Sequence, residues 1–135
     1  MKYLLSILIV LISSAHSLSA ETADNLAVKY TEAAAYFLVV HQALEQSGEK
    51  YAAASKKYGD DFDLCSMISM LLASQTRNTD MAGKVTMSRI EYSKKEMLKE
   101  MGHRNENISI LMNKYQDRSF ELINNPPKMV KDLGL

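Results

Sequence analysis

The chain has one cysteine, no tryptophan, two prolines and five glycines in 135 residues. With Cys65 alone, no disulfide can form within the chain, so its stability has to come from packing. The same scarcity excludes covalently attached haem, which takes a Cys-x-x-Cys-His segment. Both prolines stand together, at Pro126 and Pro127. Everything before them is therefore free to be helical. There is no strand-like alternation, no low-complexity tract and no repeat of fixed period. Beyond residue 20 only His41 and His103 supply imidazole, and no glycine-rich phosphate loop occurs. An enzyme is not the expected reading. The 16 basic and 16 acidic residues cancel to a formal net charge of zero and are interspersed. That balance argues against a nucleic acid or an acidic lipid surface as the main partner.

What is present begins with a charged start at Lys2, an apolar run from Tyr3 to Ile12, and a small, polar stretch from Ser13 to Ala20. These three parts match a cleaved secretory signal peptide over residues 1–20, with exits after Ala15, Ser17 or Ala20. A spanning helix needs roughly 20 apolar residues, about twice this run. Residues 21–135 then make one small domain of the periplasm or of a secreted protein.

The stretch from Thr22 to Ser47 organises that domain. Leu26, Tyr30, Ala33, Phe37, Val40 and Leu44 follow at spacings of four and three, the apolar seam of a helix. A second edge, Tyr36, Val39 and Ala43, widens it for two neighbours. Thr22 or Asp24 is the expected cap at its start, and Gly48 the stop. A second helix carries Tyr51, Ala54 and Tyr58 and then the nearly all-apolar run Phe62–Ala73, with a kink or split possible near Gly59. Thr79 opens a third helix ending at Gly102, with Met81, Val85, Met87, Ile90, Met97 and Met101 inward and Glu91 paired with Lys95. Asn107 caps a fourth, in which Ile108, Leu111, Met112, Tyr115, Leu122 and Ile123 face the core. Asn125-Pro126-Pro127 stops it. The tail adds a turn that docks Met129, Val130 and Leu133. The expected architecture is all-α, an up-and-down antiparallel four-helix bundle.

Candidate chemistry is sparse. Met97, Met101 and His103 are the metal-ligand candidates, because thioethers and an imidazole suit Cu(I), with Met67 and Met70 a second pair. The competing reading is that methionine fills irregular core space. Non-covalent haem would take His41 or His103 with a methionine. Glu100 and His103 supply only one of the two Glu-x-x-His pairs of a di-metal centre. In a hairpin about Ser47-Gly48, residues whose numbers sum to about 96 are level, which places Cys65 beside Thr31 and His41 beside Ser55, about 15 Å apart along the helix. Cys65 thus lacks a base and reads as a small buried hydrophobe, or else as the link of a disulfide dimer. Asn107-Ile108-Ser109 matches a glycosylation acceptor by letters alone. No catalytic or cofactor-binding residue is assigned. The expectation is a non-enzymatic exported protein that binds an envelope protein, or its own copy, through a helix face left apolar by Phe62–Ala73 and the methionine-rich third helix. The alternative is a bundle that carries copper or non-covalent haem.

Overall fold

In the computed structural model residues 22–135 are described with their side chains, and the export segment expected over residues 1–20 lies outside them. The fold is all-helical, with no strand among the described residues. Its helices are α1 (Lys2–Gln46), α2 (Ala52–Ala73), α3 (Thr79–Glu100), α4 (Ile108–Asn124) and the short α5 (Lys128–Lys131), with single 3-10 turns at Glu49–Tyr51 and Asn105–Asn107. No helix among the described residues is long and apolar enough to cross a membrane.

The centre of the fold is α1. A helix turns once in about 3.6 residues, and the five consecutive residues Ala33, Ala34, Ala35, Tyr36 and Phe37 are all buried. The helix is therefore covered on every side at this level. Its neighbours are α2, α3 and α4, one more than the two that its apolar edges led us to expect. The run of alanines lets the surrounding backbones approach closely, while Tyr36 and Phe37 join Tyr58, Tyr115 and Phe120 in one aromatic cluster with ring centroids 5.3–6.3 Å apart. Phe120 is an inward residue that helical spacing alone did not select.

Several helix ends differ from expectation. Thr22 and Asp24 lie inside α1 and not at its start; Asp24 takes Arg77 at 2.7 Å and Arg89 at 3.0 Å. Gly48 does close the helix, with φ of 103°. Gly59 neither splits nor ends α2, which runs on through it. Tyr51 and Ala54 face solvent, leaving Tyr58 as the member of that row that packs inward. The cap of α3 is Asn78, one residue earlier than Thr79: its side-chain oxygen accepts from the Met81 amide at 2.9 Å. At the other end Gly102 has φ of 62°, and the His103 and Gly102 amides donate back to Leu98 and Lys99 in a Schellman closure. Asn107 makes no side-chain cap for α4. Its amide group donates to the Met101 carbonyl at 2.9 Å, one of the carbonyls left over where α3 stops.

The inward face of α3 is as expected at Ile90, Met97 and Met101 and differs at Met81 and Met87. Met81 and Met87 are more than half exposed, while Ala82, Thr86, Ile90, Met97 and Met101 are buried. Small side chains bring α3 close to its neighbours, and the longer methionines on either flank are pushed out. Asp80 with Lys84 and Glu96 with Lys99 are its ion pairs within the helix, in place of Glu91 with Lys95. In α4, Leu111 and Tyr115 are buried, with Ile108, Leu122 and Ile123 packed against the core from its edge. The carbonyl of Leu122 would ordinarily accept from residue 126, which is proline and has no N–H. The Tyr30 hydroxyl, on a side chain buried in α1, donates to it at 2.8 Å. The tail docks as expected: Val130 is buried, and Met129 and Leu133 lie against the core.

Candidate functional site

A groove of about 570 Å3 lies where α1 turns into α2, lined by His41, Leu44, Glu45, Gly48, Glu49, Ala52, Ser55 and Lys56. The left-handed turn at Gly48 and the 3-10 turn after it fold α2 back so that His41 and Ser55 meet, the level pair expected from the hairpin register. A second level pair lies farther along: Ser69 donates to the Ala27 carbonyl at 2.9 Å.

The chemistry of the His41–Ser55 contact follows from its geometry. His41 Nδ1 lies 2.8 Å from the Ser55 carbonyl oxygen, which can only accept. The proton is therefore on Nδ1, which donates there and toward Ser55 Oγ at 2.9 Å. The Ser55 hydroxyl in turn donates to the His41 carbonyl at 3.3 Å. Its proton is thus directed at backbone and not at an imidazole lone pair. A serine activated for nucleophilic attack needs the reverse arrangement. His41 Nε2 faces Glu45 across 3.6 Å, beyond a good hydrogen bond. The ring is held from behind as well, since a Cβ placed on Gly59 would stand 3.3 Å from its atoms. Glycine inside a helix costs about 1 kcal/mol relative to alanine. Here the missing side chain makes room for an imidazole locked between two helices.

The other candidate residues are scattered. Met97 and Met101 are buried among the core side chains, whereas His103 is exposed with φ of 57°. These three residues do not converge on one solvent-facing site. No group of three or more histidine, cysteine or acidic side chains suited to a metal occurs among the described residues. Cys65 is fully buried, and burial pushes its thiol up to about 12, the opposite of what a nucleophile or an exposed disulfide link requires. Tyr30 is likewise pushed up to about 12 by burial and serves as a hydrogen-bond donor.

Two features were not anticipated from composition. One is the Asp24 fork, where the Arg89 and Arg77 guanidiniums hold the carboxyl below the usual carboxylate range. The other is a ridge on the outer side of α2, where Met67 is 40% exposed between half-buried Leu64 and Leu71. The apolar run Phe62–Ala73 indicated surplus, but not which side would carry it. Comparison of the chain with known protein families, with curated proteins and with solved structures finds no match.

Proposed function

We propose that this is an exported, non-enzymatic protein that works by binding another protein through the outer face of α2. The observation that carries the reading is the ridge of Leu64, Met67 and Leu71, three and four residues apart along one side of the helix. The adjoining side of α2 is already filled, with Cys65, Ile68, Ser69 and Leu72 buried. The part of that ridge left in water, Met67 above all, forgoes burial worth about 25 cal/mol per Å2, which a partner surface would recover. The partner is an envelope protein or a second copy of the chain. Export rests on Lys2, the apolar run to Ile12 and the small residues that follow. The non-enzymatic reading draws support from the engaged Ser55 hydroxyl and the buried Cys65 thiol.

The same reading takes the four long helices as up-and-down and antiparallel. It is supported by the pairs His41 with Ser55 and Ala27 with Ser69 on α1 and α2, and by Tyr30 with Leu122 and Tyr36 with Gln116 on α1 and α4. In each set one number rises as the other falls.

A photo-activated cross-linking residue placed at position 67, with one at the exposed position 117 on α4 as control, tests the function in cells. One discrete adduct from position 67, absent from 117 and lost when Leu64→Glu is added to the same chain, is the expected result. Equal labelling from both positions, or none from 67, would overturn the proposal.

A further inference from the structure

The groove between α1 and α2 is separate from the ridge and has a chemistry of its own. Its floor is apolar, formed by Leu44, Gly48 and Ala52. Its charges are unequal in their commitments. Lys56 is paired with Asp60 at 2.6 Å, an exposed contact within α2. The nearby Lys50 lies 4.8 Å over the Tyr51 ring. Glu45 meets only the imidazole of His41, at 3.6 Å, and Glu49 makes no ion pair among the described residues. Two carboxylates thus stand over an apolar floor without a cation of their own. The base beneath them is rigid, because His41 is fixed by Ser55 and backed by Gly59.

From this we infer that the groove receives a basic side chain of a partner polypeptide, an arginine or lysine set between aliphatic residues. Such a side chain matches both halves of the site. Its methylene stem lies on the floor of Leu44 and Ala52, and its charged head reaches the Glu45 and Glu49 carboxylates. A volume of about 570 Å3 exceeds one side chain and has room for its aliphatic neighbours. An acidic segment would meet two carboxylates, and the lysine in the lining, Lys56, is already paired with Asp60. A wholly apolar segment would cover both carboxylates without pairing them, which is costly. Charge therefore selects the occupant and the apolar floor supplies contact area.

The probe is the peptide N-acetyl-Leu-Arg-Leu-amide, with N-acetyl-Leu-Glu-Leu-amide as its charge-reversed counterpart. Each is titrated into the 15N-labelled mature protein and followed by amide chemical shifts. The arginine peptide is expected to move amides within residues 41–56 selectively, and to bind about tenfold more weakly to the Glu45→Gln/Glu49→Gln double variant, a loss of about 1.4 kcal/mol. Both glutamates are exposed, so that variant keeps its fold, and its amide spectrum verifies this. Met67→Glu is expected to respond as the wild type does, which separates the groove from the ridge. Equal response to the glutamate peptide, an undiminished response in the double variant, or no response up to the solubility limit would each overturn the inference.

Discussion

The two ends of the described part of α1 are fastened to their neighbours by different physics. Near its start, Asp24 takes two arginines of the α2–α3 turn and α3, with all three side chains about a quarter to a third exposed. Near its end, His41 is fixed by hydrogen bonds to Ser55 and by close contact with Gly59, without a formal charge pair to α2. The ionic end tolerates movement, because guanidinium and carboxylate remain attractive over several geometries. The imidazole end depends on shape and fails when its space is filled. It is also the end with the groove, where a fixed wall is useful.

Filling that space should have the largest effect. Gly59→Val puts a branched side chain where even a Cβ lies 3.3 Å from the imidazole, and is expected to cost about 2–3 kcal/mol in urea unfolding. In a His41→Ala background the same change should cost at least about 1 kcal/mol less, the coupling of two groups in contact. Equal costs in both backgrounds would show that the ring is not what Gly59 accommodates. Next in size is Tyr30→Phe, toward the Asp24 end, which leaves the Leu122 carbonyl without the donor that Pro126 cannot supply. A loss of about 1–2 kcal/mol is expected, with fraying of the last turn of α4 visible in amide exchange.

These contacts differ in how far they could be read from the letters. The α1 seam was legible because Leu26, Tyr30, Ala33, Phe37 and Val40 keep one helical period. The hairpin register was legible because Gly48 fixed the turn, which is why Ser55 was found beside His41. The face of α3 was legible in its second half, at Ile90, Met97 and Met101, but not in its first. Methionine suits either side of a helix, and the close approach is made by Ala82 and Thr86, small residues that carry little apolar signal. Phe120 leaves no periodic signal because the row Leu111, Tyr115 and Ser119 buries a serine, while the phenylalanine beside it reaches Phe37 and Tyr58 from the flank. The Asp24 fork and the groove lay beyond the letters as well. Both join residues far apart in sequence or shaped by a turn, and neither leaves a periodic trace.

The ionic end should reveal itself through pH. Asp24 is held below its ordinary value of 3.8, so its contribution is fully present above that pH and is lost as pH falls through the folded-state value. Asp24→Asn should cost about 1 kcal/mol near neutrality, modest because the fork is partly exposed. The difference from wild type should shrink as acid is added below pH 3.8 and vanish when the carboxyl is protonated. Glu100, whose bonds from Lys114 and Tyr115 outweigh its burial and leave it lowered, titrates in both proteins and cancels from the comparison. Melting curves of the two proteins across this range decide the matter, and a constant gap would remove the charge pair from the account.

Between the two fastened ends, the α3 side contains a group held by neither device. Thr86 is buried and its hydroxyl has no hydrogen-bond partner among the described residues, as is true of Ser66 Oγ. Valine has nearly the same shape and the same branching at Cβ, so Thr86→Val keeps the close approach of α3 and removes the polar group. Unlike the other changes it is expected to stabilise, by about 0.5–1 kcal/mol, because no bond is lost and less polar surface stays dehydrated. Thr86→Ala provides the contrast. It also removes the hydroxyl but opens space beside Ala82, and should fall below Thr86→Val in urea midpoint. If valine proves the weaker of the two, or weaker than threonine, the hydroxyl has a partner in solution. The middle of α3 would then be fastened by polar contacts, as both ends of α1 are.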